Sequence, residues 1–156
     1  MRPYDSRYTV HPLPEAPHLD ATLTYVVARS PISDPFARYE QAKKMQRETL
    51  IKNSEIYFNP WDTIFDGNPQ RILESGESVT LPPMFILQGE LDDNVLPAVQ
   101  ERFVATYRAA GGEIDYEVYP GAEHRWIIQP GPQTERAIAM IKAFIARQLR
   151  ARQPVG

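Results

Sequence analysis

The sequence predicts an α/β fold in which about three parallel strands are flanked by helices. Two apolar runs, residues 22–28 and 84–87, have the continuous hydrophobicity typical of strands that are buried on both faces. After the second run, strand-like and helix-like patterns alternate as far as residue 149, at the spacing of βαβ units. Right-handed crossovers are the expectation for such units, and they place the strands in one sheet.

The first part of the chain has the less regular pattern. Residues 1–20 are rich in proline, which predicts an irregular connection that ends before the strand at 22–28. Residues 36–52 are charged and helix-forming, with a moderately apolar face. Residues 54–66 are rich in aromatic side chains around Pro60, and they predict irregular structure.

The later elements have clear start and stop signals. Asn68 and Pro69 predict an N-cap and a first helical position, and Gly76 predicts the end of that short helix. A second helix is expected over residues 97–110, since a proline opens it and a Gly-Gly pair follows it.

The C-terminal third of the chain has the strongest periodicity. Residues 114–118 alternate apolar and acidic side chains, which predicts a strand with one wetter face. Residues 134–149 predict a helix with a single apolar stripe. The stripe consists of Ala137, Ile138, Ile141, Phe144, Ile145 and Leu149.

The composition excludes several functional classes. Of 156 residues 42% are apolar and 24% charged, and a formal net charge of -3 gives no electrostatic case for nucleic acid or an anionic membrane. No apolar run approaches the roughly 20 residues that span a bilayer. The N-terminus lacks the apolar core of a signal peptide, so a cytoplasmic location is the expectation. The length of the chain predicts a single domain. The absence of cysteine excludes thiol catalysis and thiolate metal sites.

Two polar residues follow predicted strands at the positions where functional groups collect in α/β sheets. Asp92 lies five residues beyond Leu87, and His124 lies five residues beyond Tyr119. Because parallel strands end at the same edge of a sheet, we expect Asp92 and His124 to meet. A carboxylate that accepts a hydrogen bond from one imidazole nitrogen fixes the tautomer, and the other nitrogen is then free to act as a general base.

Simpler interpretations of these residues stay open. Asp92 alone could cap a turn or a helix, and Asp93 is a weaker candidate for the same carboxylate. His124 could be an ordinary loop histidine beside a Pro-Gly turn. His11 and His18 lie in the proline-rich connection without ligands at metal-binding spacing, so neither a metal site nor a cofactor is predicted.

At these residues the sequence resembles a known family. Residues 82–97, PPMFILQGELDDNVLP, resemble the penultimate-strand segment of α/β-hydrolases, in which a His-Gly-x-x-Asp pattern is common. In this sequence Gln88 stands at the position of the histidine of that pattern. Residues 103–126, which end in YPGAEHRW, resemble the last strand and the loop of the catalytic histidine. The likeness is closest to the esterase and lipase branch, which includes acetylesterases, carboxylesterases and arylformamidase-like enzymes. It covers residues 82–149 and extends more loosely to residues 22–28, which resemble the sixth strand.

The resemblance implies one partial domain over residues 1–156, the C-terminal portion of an α/β-hydrolase sheet. Residues 1–35 would hold a connection and the first strand, residues 36–80 a cap-like insertion, and residues 81–150 the last two strands and their helices. Three aromatic side chains could line an acyl pocket or pack in the core and cap. They are Phe58, Trp61 and Trp126.

The resemblance also implies that Asp92 and His124 are the acid and base of a serine triad that acts on a small ester substrate without a cofactor. The family's nucleophile stands in a G-x-S-x-G turn, and no such turn occurs in this sequence. The nearest approach, residues 76–80, lacks the final glycine, and Ser30 and Ser33 stand beside prolines without flanking glycines. We therefore expect the serine to be encoded upstream of this chain.

Two alternatives to an esterase half remain. In the first, the chain is a truncated product without catalysis of its own, and the exposed edge of its first strand pairs two copies. In the second, it is a binding or scaffold module that has kept half of the fold. The presence of Asp92 and His124 argues weakly against the second alternative, because packing requires neither residue.

Overall fold

A computed structural model describes residues 14–16 and 22–151 of the chain. Three strands lie in this part: Val26–Arg29 (β1), Met84–Gly89 (β2) and Ile114–Tyr119 (β3). They form one sheet in the order β1-β2-β3, and both pairs are parallel. The structure confirms the predicted α/β class with three parallel strands.

The first strand is shorter and lies later in the chain than predicted. It begins at Val26, which pairs with Met84 at the start of β2, and it continues to Arg29. Pro82 and Pro83 precede Met84 and have no N–H to donate, so the ladder cannot extend toward residue 22. Strand propensity in residues 22–25 is therefore not enough to make them pair.

Six α-helices connect and cover the strands in the described part of the chain. They are Pro35–Lys44 (α1), Glu48–Tyr57 (α2), Thr63–Asp66 (α3), Pro69–Glu74 (α4), Pro97–Ala109 (α5) and Pro132–Arg150 (α6). Four of them begin at a proline, where the missing N–H costs no helical hydrogen bond. None of these helices has the length and apolar character that a bilayer crossing requires.

The segment before the second strand is more helical than predicted. Residues 36–52 do not form one helix, because Gln46 adopts a left-handed φ of 53° between α1 and α2. Residues 54–66 are not irregular throughout, since α2 continues to Tyr57 and α3 follows it. The start of α4 is as predicted: the side chain of Asn68 accepts a hydrogen bond from the N–H of Arg71 at 3.1 Å.

The core lies on both faces of the sheet. Phe85 and Leu87 of β2 face a cluster that includes Phe144 of α6, and Ile86 faces a cluster that includes Phe103 of α5. This alternation is what a strand buried on both faces requires.

The apolar stripe of α6 is narrower than predicted. Ala137 and Phe144 are buried, whereas Ile138 and Leu149 are 44% and 54% exposed. At 3.6 residues per turn these two lie about 100° or more around the helix from Ala137, so they are at the flank of the stripe.

Candidate active site

Asp92 and His124 lie in direct contact at the edge where β2 and β3 end. The Nδ1 atom of His124 is 2.9 Å from Oδ2 and 3.0 Å from Oδ1 of Asp92. Asp92 and His124, which are 32 positions apart in the sequence, are thus in contact, as expected.

Asp92 is buried and strongly hydrogen-bonded. The side chain of Asp92 has no exposed surface, and its Oδ1 accepts hydrogen bonds from the N–H groups of Asn94 at 3.0 Å and Val95 at 2.8 Å. Burial is the largest influence on this carboxyl and raises its pKa, but the hydrogen bond from Val95, the neighbouring Ser30 hydroxyl and His124 together lower the pKa below its usual value. Asp92 is therefore ionised at neutral pH.

His124 is partly open to solvent. The side chain of His124 is 24% exposed, and its hydrogen bonds within the described residues involve Nδ1 alone. The ring lines a cleft of about 600 Å³ together with residues 46–50, 93–94 and the neighbours of the histidine. When Nδ1 keeps its proton and donates a hydrogen bond to Asp92, Nε2 has a free lone pair and can take a proton from a reacting group.

Hydrogen bonds join the loop after β2, which carries Asp92 and is called the acid loop, to the loop after β3, which carries His124 and is called the base loop. The N–H of Glu90 donates to the carbonyl of Tyr119 at 3.0 Å, and the N–H of Leu91 donates to the carbonyl of Ala122 at 2.9 Å. In the opposite direction, the N–H of Gly121 donates to the carboxylate of Glu90 at 2.7 Å. These bonds set the register of the two loops, so that Asp92 and His124 face each other.

Gly89, the last residue of β2, makes the close approach of the loops possible. A Cβ at this position would lie 2.5 Å from the carbonyl oxygen of Ala122 and 2.9 Å from that of Glu123. Real side-chain carbons do not approach backbone atoms so closely, so only glycine fits without moving the base loop. The His-Gly-x-x-Asp pattern has a glycine at this position, but local patterns do not explain it, because the loop that approaches Gly89 follows a different strand.

The other carboxylate that the sequence offered does not meet the histidine. Asp93 forms an ion pair with Arg47, and its carbonyl accepts a hydrogen bond from the same guanidinium at 3.2 Å. Gln88, at the position where the family often has histidine, donates from Nε2 to the carbonyl of Val95 at 3.0 Å. Gln88 thus supports the loop that carries Asp92.

The three aromatic residues considered for an acyl pocket pack against neighbouring rings. Trp126 is 8% exposed and stacks on Tyr119, with ring centroids 4.1 Å apart. Trp61 packs at a tilt against Tyr39 with ring centroids 4.6 Å apart, and Phe58 packs edge-to-face against Tyr57 with ring centroids 4.8 Å apart. Of the three, none lines the cleft at His124 as far as the structure describes it.

No serine hydroxyl in the described ranges is hydrogen-bonded to the ring of His124. Ser33 donates to the side chain of Gln100, and Ser30 lies beside Asp92. His11 and His18 lie outside the described residues.

Comparisons with known proteins agree with this fold. The family model described as the prolyl oligopeptidase family matches residues 20–152. Esterase B from Lactobacillus rhamnosis is similar with a TM-score of 0.63 and 16% identity, over 82% of this chain and 42% of that one. A puromycin-hydrolyzing peptidase of Mycobacterium tuberculosis is similar with a TM-score of 0.51 and 20% identity, over 67% of this chain and 15% of that one. A search of curated proteins found no match.

This chain spans less than half the length of either solved structure. At these identities the structures show a shared fold, and the predicted resemblance to α/β-hydrolases is confirmed at that level. The family model covers most of the sequence, and the chain therefore belongs to the prolyl oligopeptidase family within the α/β-hydrolases.

Proposed function

We propose that this chain supplies the acid and the base of a serine hydrolase that cleaves carboxylic esters. The observation that carries the proposal is the contact between the buried Asp92 carboxylate and Nδ1 of the partly exposed His124, at 2.9 Å. This contact commits Nδ1 to donating a hydrogen bond and leaves Nε2 as the proton acceptor.

In the proposed reaction, a serine hydroxyl gives its proton to Nε2 of His124 as its oxygen attacks the ester carbonyl carbon. The bond to the alcohol then breaks, and His124 gives the proton to the departing oxygen. A water molecule then gives a proton to His124 as its oxygen attacks the acyl carbon. The bond from that carbon to the serine oxygen breaks, and His124 returns the proton to the serine as the acid leaves. Asp92 stays ionised throughout and stabilises the imidazolium.

The nucleophile in this proposal comes from outside these 156 residues. Support comes from the lack of a G-x-S-x-G turn and from the position of β1 at the edge of the described sheet. The N–H groups of Val26 and Ser30 donate to the segment of β2, so by alternation Val27 and Arg29 present their N–H and C=O groups to the open side. We place the strand that leads to the nucleophile against this edge. Pairing of a second copy there is the competing outcome.

The insertion before β2 is the proposed cover of the cleft. Residues 46–50, which comprise the end of the α1–α2 connection and the start of α2, line the cleft that contains His124. Arg38 of α1 donates from Nε to the side chain of Asn94 at 2.9 Å, and Arg47 pairs with Asp93. Two arginines of the insertion therefore bind the loop that carries the acid, which supports the assignment of residues 36–80 as a cap.

Peptide-bond hydrolysis is the second candidate. The match to the prolyl oligopeptidase family favours it, and one structure of similar fold is a puromycin-hydrolyzing peptidase. The same acid and base serve either reaction, since His124 can protonate an amine as well as an alcohol. Relative kcat/KM values for p-nitrophenyl acetate and alanine p-nitroanilide separate the two candidates.

The test compares the 156-residue chain with the product of the same reading frame extended upstream through a G-x-S-x-G turn. We expect fluorophosphonate to label one serine in the extended protein and none in the chain alone. His124→Ala should lower kcat/KM on the order of 10⁶-fold and Asp92→Asn about 10⁴-fold, by the scale of other serine triads. Asp62→Asn, an exposed residue whose side chain makes no cap hydrogen bond, is the matched control and should stay within about threefold, as surface changes remote from a site do.

Two results would contradict the proposal. One is robust turnover by the 156-residue chain with a labelled serine among its own residues. The other is an extended protein that keeps wild-type kcat/KM after His124→Ala. If the extended frame has no such turn, a tagged chain should co-purify with a partner that fluorophosphonate labels, and the absence of any labelled partner would also contradict the proposal.

A further inference from the structure

The C-terminal end of β1 reaches both members of the Asp92–His124 pair. Arg29, the last residue of β1, donates a hydrogen bond from Nη1 to the backbone carbonyl of His124. Ser30, the next residue, lies beside the carboxylate of Asp92. We propose that Arg29 and Ser30 are positioning residues of the site: Arg29 holds the backbone of the base, and Ser30 donates to the carboxylate of the acid. The inference rests on the proposed function for the roles of Asp92 and His124.

Ser30 has a backbone conformation that serine rarely adopts. Its φ is 42°, in the left-handed region that glycine enters freely and that other residues enter at a cost. Pro31 follows it, and a residue before proline is restricted further. The N–H of Ser30 is fixed to the carbonyl of Leu87 at 2.9 Å. Backbone strain of this kind persists where the surroundings hold it, and it clusters at functional sites.

The hydroxyl of Ser30 is buried and has no well-formed hydrogen bond in the described residues. The residue is 5% exposed, and its Oγ has no hydrogen bond of normal geometry among the residues that the structure describes. The hydroxyl is nevertheless close enough to Asp92 to lower the pKa of that carboxyl. A buried hydroxyl without a partner is costly, so an acceptor within reach is the expected destination of its proton.

The carboxylate of Asp92 has an oxygen with room for this donor. Its Oδ1 already accepts from the N–H groups of Asn94 and Val95, whereas Oδ2 is bonded to His124 alone in the described residues. A carboxylate oxygen can accept two hydrogen bonds. Hydrogen bonds in such sites are often long in the unloaded protein and tighten when the reaction begins. We therefore assign the Ser30 proton to Oδ2.

Arg29 ties the base loop to a strand that is not its neighbour. His124 follows β3, while Arg29 ends β1, and β2 lies between them. The guanidinium therefore reaches across the end of β2 to the carbonyl of His124. A charged donor makes the stronger kind of hydrogen bond, so it resists displacement of the base along the sheet edge.

Two substitutions at Ser30 separate positioning from backbone structure. Ser30→Ala removes the hydroxyl and keeps the strain, whereas Ser30→Gly removes the hydroxyl and relieves the strain. We expect both variants to raise the pKa of Asp92 toward its ordinary value, measured by carboxyl ¹³C NMR. Both should also speed exchange of the His124 Nδ1 proton about tenfold, the effect of losing one hydrogen bond near a charge. Ser75→Ala, whose hydroxyl bonds within its own turn, is the control and should change neither.

Two substitutions at Arg29 test the second half of the proposal. Arg29→Met removes the donor and should speed exchange of the same Nδ1 proton, and Arg29→Lys should restore part of the protection. A Ser30→Gly protein that matches the wild type in both measurements would overturn the role of Ser30. An Arg29→Met protein with wild-type exchange would overturn the role of Arg29. Since these measurements report on the pair and not on turnover, an extended protein that fails to hydrolyse substrate would refute the proposed function alone.

Discussion

Replacing Gly89 with alanine tests the packing that brings the base loop onto the acid loop. The added Cβ would lie 2.5 Å from the carbonyl oxygen of Ala122, and ordinary contacts begin at 3.4 Å. The loop must therefore retreat by about 0.9 Å, the difference between these distances. A retreat of that size stretches the hydrogen bond from Leu91 N–H to the Ala122 carbonyl, now 2.9 Å, beyond normal hydrogen-bond length.

The consequences of Gly89→Ala can be scaled from similar cases. Overpacking of a fitted site costs about 1–3 kcal/mol in the free energy of unfolding. A displacement of about 1 Å in a catalytic group costs on the order of 10²-fold in rate, so the extended enzyme should lose activity by that factor. Urea unfolding gives the stability, and amide hydrogen exchange of Leu91 reports the contact between the loops.

Gly67→Ala is the matched control for this experiment. Its added Cβ would meet the carbonyl oxygen of Thr63 at 3.4 Å and the ring of Phe58 at 3.5 Å, which are ordinary contacts. It should change the free energy of unfolding by less than about 0.5 kcal/mol. A Gly89→Ala protein that matches this control in stability and leaves the exchange of Leu91 N–H unchanged would show that the two loops do not clash at position 89.

Two further predictions follow from the electrostatics of the site. The pKa of Asp92 is lower in the folded than in the unfolded state, so its stabilising contribution is present above the unfolded value and is lost as the pH falls through the folded value. Urea midpoints over an acid pH series should therefore fall less steeply in Asp92→Asn than in the wild type, and equal slopes would count against this reasoning. Asp93→Asn should lower the free energy of unfolding by less than about 1 kcal/mol, since the ion pair of Asp93 with Arg47 is exposed. The NMR signal of the His124 Nδ1 proton should stay, and its loss would show that the wrong carboxylate had been assigned to the histidine.

The later elements and the candidate pair could be predicted because their signals are local. A proline and a Gly-Gly pair delimit α5, and the apolar runs of β2 and β3 stand out from their neighbours. Asp92 and His124 could then be placed together from topology, since parallel strands end at one edge. Their contact is a feature of the structure, while their catalytic role stays a prediction.

The features that the sequence did not reveal depend on contacts between distant segments. The break between α1 and α2 occurs at Gln46, without the glycine or proline that normally predicts one. The need for glycine at position 89 arises from a loop on another strand, and the hydrogen bond from Arg29 to His124 crosses an entire strand. Periodicity and propensity do not contain this information, because each depends on where the tertiary fold places a neighbour.

The most direct test of the central claim is the tautomer of His124, read from ring ¹⁵N NMR of the 156-residue chain. The sequence has three histidines, so His124→Gln identifies the signal. We predict that neutral His124 carries its proton on Nδ1, from which it donates a hydrogen bond to Asp92, and that Nε2 is unprotonated and available as a base. A neutral ring that carries its proton on Nε2, unchanged by Asp92→Asn, would contradict the claim that these two residues form the acid and base of a hydrolase.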